Sequence, residues 1–304
     1  MIEEKRSIKK STAQAICDAV KVKEGATEGV PFNEVAKRVL ALPTASGENK
    51  LAQLAEGTLT EITAEDLQGV TKIRRYCFSN SANLIYIELP STITSIQYYA
   101  FNQCSNLKNV YYNGTISDWV KVSLDDSLSS PAYYALNMYF KNAFGEYEAP
   151  NNLIIPEGVT TIGNYTFYLF KNVLSITIPN SCIDIGKSAF AHCEKAEHLN
   201  LGNGVQTIQE YAFEDGKKIE SVIIPNSTTT IGNAAFRSCS NLRSVRIGNG
   251  ISNLPYSSIN SCFYGCNALT DIYIDAPEGS ISGSPWGASS ATVHWNTPLP
   301  SEEV

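Results

Sequence analysis

The apolar residues of this chain recur on a fixed beat. Phenylalanines preceded by a small residue stand at Phe78, Phe101, Phe167, Phe190, Phe213, Phe236 and Phe263, with successive spacings of 23, 66, 23, 23, 23 and 27 residues. The 66 is one 23-residue unit plus 43 inserted residues, and the 27 is one unit with four residues added. Other apolar positions keep the same phase. Ahead of the Phe lie Ile73, Ile96, Ile162, Ile185, Ile208 and Ile231. Behind it lie the pairs Ile87 and Leu89, Val110 and Tyr112, Ile176 and Ile178, Leu199 and Leu201, Val222 and Ile224, Val245 and Ile247, and Ile272 and Ile274. These pairs alternate with polar residues, the period of a strand with one buried face. Pro90, Pro179, Gly202, Pro225 and Gly248 then close the strand.

A unit this short cannot enclose a core. Stacked at the interstrand distance of about 4.8 Å, successive units bury their common side chains as continuous ladders. Each fully buried ladder residue contributes roughly 1.5–3 kcal/mol. The pattern therefore predicts a mainly β, right-handed solenoid of about seven 23-residue coils over residues 58–275.

The sister segments IPNSCIDIGKSAFAHC (178–193) and IPNSTTTIGNAAFRSC (224–239) carry period, Phe, Cys and Pro together. They resemble the BspA-like leucine-rich repeat family of bacteria, and the likeness spans roughly residues 58–295. It implies a leucine-rich-repeat solenoid. It also implies a surface or secreted adhesin that acts by binding.

The ends depart from the repeat. Residues 1–45 read as a helical hairpin. Ile8, Ala15, Ile16, Ala19 and Val20 make one apolar face, and Phe32, Val35, Ala36, Val39 and Leu40 make a second after Pro31. This segment resembles the N-terminal modules of phage and prophage tail-associated proteins, which implies attachment or oligomerisation through the helices. A plain cap over the first coil is the other reading. Residues 46–275 form the repeat region, with an insertion at 113–152, and residues 276–304 form a C-terminal cap and tail that breaks the repeat, with Trp286 and Trp295 covering the last coil.

Charge narrows the partners. A net charge of -7 repels phosphate, which argues against nucleic acid and anionic membrane. No apolar run reaches the roughly 20 residues of a spanning helix. The opening residues show no Sec-type leader, because Glu3 and Glu4 interrupt the basic start and no apolar run follows. An extracellular or virion-associated location is expected.

Chemistry is sparse. Cys104, Cys193, Cys239 and Cys266 each fall three residues after a Phe, Cys77 and Cys262 precede one, and Cys182 fills a Val slot. These are small buried positions. Cys239 and Cys266 belong to neighbouring coils, so a disulfide between them stays open. No C-x-x-C, P-loop, H-E-x-x-H or G-x-S-x-G motif is present, and the three His residues form no ligand spacing. No enzyme, cofactor or metal is expected.

Two surfaces are candidate sites for a protein or glycan ligand. Outward strand positions carry Tyr86, Tyr111, Arg246 and Tyr273, a mixed, Tyr-bearing surface of the kind used in protein recognition. The insertion carries Trp119, Tyr133, Tyr134, Tyr139 and Tyr147, with strands expected at Met138–Phe140 and Leu153–Ile155 joined by a turn. An enzyme with its site in this insertion and an intracellular scaffold are the alternatives.

Overall fold

The computed structural model describes residues 58–298. The predicted helical hairpin at 1–45 lies outside them. The chain divides after Ala149 into two units, and each is a β-solenoid.

In the first unit a front sheet carries the longer strands. It runs β1 (Glu61–Ile62), β3 (Tyr86–Leu89), β5 (Asn109–Tyr112), β7 (Asn137–Lys141) and β8 (Tyr147–Glu148). The first four are parallel, and β8 turns back antiparallel on β7. A narrow second sheet joins β2 (Lys72–Ile73), β4 (Ser95–Ile96) and β6 (Ser123–Leu124) in parallel. Ile87, Leu89, Val110, Tyr112, Met138 and Phe140 point inward from the front sheet, and Ile73, Ile96 and Leu124 from the other.

The second unit repeats the plan. Front strands are β9 (Asn152–Ile154), β11 (Ser175–Thr177), β13 (His198–Asn200), β15 (Ser221–Ile224), β17 (Ser244–Ile247), β18 (Asp271–Ile274) and β19 (Thr292–His294). Facing them are β10 (Thr161–Ile162), β12 (Asp184–Ile185), β14 (Thr207–Ile208) and β16 (Thr230–Ile231). Every pairing in this unit is parallel and in register, so Ile176 sits beside Leu199, and Val222 beside Val245 and then Ile272.

The phenylalanines form the predicted column. Phe167, Phe190, Phe213, Phe236 and Phe263 follow one another at centroid distances of 5.2–5.9 Å, with ring planes 2–27° apart. In the first unit Phe78 and Phe101 follow at 5.4 Å, with planes tilted by 35°. Around each Phe the backbone makes consecutive tight turns. Except before Phe263, the residues two before and two after the Phe take positive φ, as at Tyr76 and Asn80, Tyr165 and Leu169, Ser188 and His192, and Tyr211 and Asp215. Left-handed backbone costs an ordinary residue roughly 1–2 kcal/mol. It is tolerated here because it aims every second N–H along the stack. Ser188, Phe190 and His192 donate to the carbonyls of Glu210, Ala212 and Glu214, and Tyr211, Phe213 and Asp215 to those of Asn233, Ala235 and Arg237. A third ladder of hydrogen bonds thus joins the coils between the two sheets.

The cysteines after the Phe have a second reason to be there. The thiols of Cys104, Cys193, Cys239 and Cys266 donate to the carbonyls of Phe78, Phe167, Phe213 and Phe236 at 3.0–3.4 Å. Each is buried and unbridged, and Cys239 and Cys266 are free thiols beside one another. Burial pushes the Cys104 and Cys193 thiols up to about 12, which disfavours the reactive thiolate.

Four sequence expectations change. The coils exceed seven, because β1, β7, β9 and β19 are additional front strands. The 113–152 segment is not a bulge throughout, since it contributes β6 and β7 as a coil in both sheets. Asn137 donates to Asn109 from 28 residues on, so this coil is five residues longer than the 23-residue period. The two strands foreseen there do not pair with each other: β7 joins β5, and β9 joins β11. Residues 276–298 do not break the repeat. Trp286, 23 residues after Phe263, is fully buried, and its carbonyl accepts the Phe263 N–H. Thr292–His294 then pairs with Asp271–Tyr273, and Trp295 packs edge-on to Trp286 at 6.2 Å.

Candidate functional site

Inward positions are committed to the core, so chemistry is confined to the outward ones. In the first unit parallel register brings the tyrosines of three front strands side by side. Tyr111 lies flat against Tyr139, with centroids 4.7 Å apart and planes at 11°. Tyr86 meets Tyr111 edge-on at 5.8 Å. The β7–β8 hairpin then returns Tyr147 to the same face, edge-on to Tyr111 at 5.0 Å. Tyr111 is the hub of a four-ring platform.

Polar groups frame the rings. The Tyr86 hydroxyl donates to Glu88 Oε1 at 3.3 Å, while Glu88 Oε2 accepts the Ala64 N–H at 3.0 Å. Glu61 stands opposite Tyr86 in register. Burial, then the Glu88 and Glu61 carboxylates, raise the Tyr86 phenol to about 12. Burial and Glu88 also raise Tyr147, whose hydroxyl donates to Asn113 Oδ1. Lys141 Nζ lies 5.5 Å from the Tyr147 ring centroid.

The other candidates lie elsewhere. Trp119 is 0 % exposed and packs edge-on to Tyr112 at 5.0 Å and Phe140 at 6.0 Å. It sits on the short helix α1 (Ile116–Trp119), which Thr115 and Asp118 cap reciprocally. A ring sealed in this way is a core residue, so Trp119 leaves the ligand-contacting set. Tyr133 and Tyr134 contact each other at 4.9 Å, and the Tyr134 hydroxyl donates to Asn102.

In the second unit the Arg246 guanidinium lies 4.4 Å over Tyr273, and the His294 ring stacks on Tyr273 at 4.6 Å. His294 Nε2 is 2.8 Å from Asp271 Oδ1. That contact holds the Asp271 carboxyl below the usual carboxylate range, with help from Thr270. His294 and Asp271 were not anticipated as a pair. The signal was available, because Trp286 keeps the 23-residue phase and implies one more strand beyond Tyr273.

Among the described residues no group of three or more His, Cys, Asp or Glu side chains is placed to hold a metal ion. No helix there is long and apolar enough to cross a membrane.

A family model for the BspA type leucine rich repeat region matches residues 55–127 and 139–270 in six copies. The chain belongs to the BspA-type leucine-rich repeat family. No curated protein matches its sequence. Among solved structures it is similar to a leucine rich cell surface protein from Faecalibacterium prausnitzii, at 22 % identity and a TM-score of 0.53, covering 78 % of this chain and 65 % of that one. A leucine-rich repeat protein from Bacteroides ovatus is 21 % identical with a TM-score of 0.46, over 78 % and 61 % of the two chains. The pneumococcal vaccine antigen PcpA is 16 % identical with a TM-score of 0.47, over 79 % and 72 %. This BspA-type chain thus spans just under two thirds of the length of the first two. At these identities the likeness is one of fold. The family match stops at residue 127 and resumes at 139, within β7, at Tyr139 itself.

Proposed function

We propose that this BspA-type protein is a non-enzymatic recognition protein, binding a protein or glycan partner on the tyrosine-lined front sheet of its first unit. The observation that carries the reading is the contiguous platform of Tyr86, Tyr111, Tyr139 and Tyr147 at outward strand positions. Cross-strand ring pairs stabilise a sheet by roughly 0.2–1 kcal/mol each; here they also gather four phenols around Tyr111 on one outward face. Tyrosine is enriched at binding hot spots because it offers a large rigid contact area together with a polar tip. Display at a cell surface is in keeping with the description of the Faecalibacterium relative as a leucine rich cell surface protein. The phage-tail-like reading of residues 1–45 implies a virion instead, and genes for tail or baseplate proteins beside this one would favour it.

The test is a binding screen of the full chain against bacterial envelope glycans and host matrix proteins. Any ligand found is then measured with Tyr111→Ala/Tyr139→Ala and, as a control on the other unit, Arg246→Ala. Removing two platform rings is expected to weaken binding at least tenfold, about 1.4 kcal/mol. Unchanged binding by a folded double variant refutes the assignment.

A further inference from the structure

We infer that the occupant of the tyrosine platform is a basic segment of a protein partner, whose Lys or Arg side chains seat on the Tyr86–Tyr111 rings beside Glu61 and Glu88. This rests on the binding role proposed above and adds the chemistry of the ligand.

The charge pattern of the face points there. Along β1, β3, β5 and β7 the outward residues run Glu61, Tyr86, Glu88, Asn109, Tyr111, Asn137 and Tyr139, two acids and no base, until Lys141 closes β7. Lys108 precedes β5 rather than lying within it. Neither Glu61 nor Glu88 has an ion-pair partner among the described residues. Glu88 is held in place by neutral donors, the Tyr86 hydroxyl and the Ala64 N–H. Its charge is therefore fixed in position and uncompensated. An aromatic face flanked by carboxylates attracts a cation through both the ring quadrupole and the charge.

The protein supplies its own examples of the contact. Arg75 lies 4.9 Å over Tyr76, Lys141 5.5 Å over Tyr147, Arg237 5.4 Å over Tyr211 and Arg246 4.4 Å over Tyr273. Tyrosines on this scaffold that lie near a base are thus used as cation seats. Tyr86, Tyr111 and Tyr139 hold none among the described residues. A neutral glycan donates hydroxyl hydrogen bonds to the two carboxylates but leaves their charge unneutralised, whereas a Lys or Arg head meets the rings and neutralises the charge as well. An acidic glycan is repelled by the carboxylates.

The experiment uses the full chain and three probes, measured by calorimetry at low salt: a ten-residue alternating Ser-Lys peptide, its Ser-Glu counterpart, and a neutral β-linked glucose hexasaccharide. The Ser-Lys peptide is expected to bind, and to weaken as salt rises. Glu61→Gln/Glu88→Gln is expected to weaken it about tenfold, about 1.4 kcal/mol. Tyr86→Phe keeps the ring and frees Glu88, so it is expected to bind at least as well as wild type. Tyr111→Ala/Tyr139→Ala is expected to lose binding while remaining folded, as an unchanged far-UV circular dichroism spectrum at the assay temperature would show.

Absence of Ser-Lys binding up to millimolar peptide overturns the inference. So does preference for the hexasaccharide, or Ser-Lys binding that the Gln double variant leaves unchanged. A hexasaccharide complex lost with the tyrosines but not with the glutamates overturns the basic-ligand chemistry and leaves the platform reading intact. Ser-Lys binding that survives Tyr111→Ala/Tyr139→Ala overturns both.

Discussion

Replacing Phe213 by Ala tests the stacking argument at its centre. Phe213 is 1 % exposed and lies between Phe190, 5.4 Å away with planes 2° apart, and Phe236, 5.2 Å away at 12°. Truncating a buried Phe costs about 3–5 kcal/mol in general, from lost transfer free energy and the cavity left behind. Two parallel ring contacts, each contributing about 0.5–1.5 kcal/mol beyond area, place this site in the upper half of that range. Little relaxation can refill the space, because the ladder from Tyr211, Phe213 and Asp215 to the next coil pins the backbone on both sides of the ring. We therefore expect a loss of about 4–5 kcal/mol, a large share of the roughly 5–15 kcal/mol by which a domain is stable. Phe213→Leu keeps most of the volume and loses both ring contacts, so it is expected to cost about 1–2 kcal/mol. Urea unfolding followed by far-UV circular dichroism measures both, with coincident fluorescence transitions checking that a single free energy is meaningful. A cost below about 1.5 kcal/mol for Phe213→Ala, the ordinary range of single substitutions, would refute the claim that the column is a principal source of stability.

Three further outcomes follow from specific contacts. A Cβ at Gly202 would collide with the Pro179 carbonyl of the preceding coil, so Gly202→Ala is expected to destabilise by about 1–3 kcal/mol in the same urea assay; a neutral result would mean the coils pack less closely than described. The Tyr86 phenol, raised to about 12, favours the folded state below its ordinary value near 10, and that contribution is lost as pH climbs from about 10 to 12. Spectrophotometric titration should show Glu88→Gln lowering this value, and no movement would remove Glu88 as a cause. Asp271 titrates below the usual carboxylate range, so its contribution is present above that range and lost as pH falls through the lowered value. In carboxyl-detected NMR titration His294→Ala should bring Asp271 back up, and an unmoved Asp271 would assign the shift to Thr270 instead.

The repeat was legible because burial forces the same residue type back at the same phase. Phe190, Phe213 and Phe236, and the paired strand positions such as Val222 and Ile224, are visible without coordinates for that reason. What was missed follows from rules other than hydrophobic phase. Trp286 keeps the Phe spacing but is a different ring, so the Phe pattern alone stops one coil short of His294. Alternation marked Met138–Phe140 and Leu153–Ile155 as strands, yet alternation does not name a partner, and each joined the coil nearest its own register. Apart from Gly265 after Phe263, the positive-φ residues beside the Phe column carry no glycine signature, being Tyr, Asn, Gln, Leu, Ser, His, Asp and Ala, because intercoil hydrogen bonds impose that backbone. At the site the sequence held a usable sign. Asn109-Val110-Tyr111-Tyr112 and Asn137-Met138-Tyr139-Phe140 are the same strand written twice, 28 residues apart, which puts Tyr139 beside Tyr111. Trp119 offered no such sign, since an aromatic residue in the last position of a short capped helix reads equally as surface or core.

The platform's rigidity follows from the same register that makes the fold. Two tyrosines at equivalent positions of adjacent parallel strands are separated by the strand spacing, about 4.8 Å. The Tyr111–Tyr139 centroid distance of 4.7 Å is that spacing, so the rings reach stacking contact with no adjustment of the backbone. Tyr147 arrives from the antiparallel return of β8 and closes against the edge of the pair, which restricts how Tyr111 can turn. The rotamer freedom that a binding surface ordinarily surrenders on association, about 0.5–1.5 kcal/mol per side chain, has here been surrendered largely on folding. A preorganised face of this kind favours a partner that brings the flexible groups itself. Long Lys and Arg side chains meet that description, since their heads can settle over fixed rings while their stems lie along apolar surface.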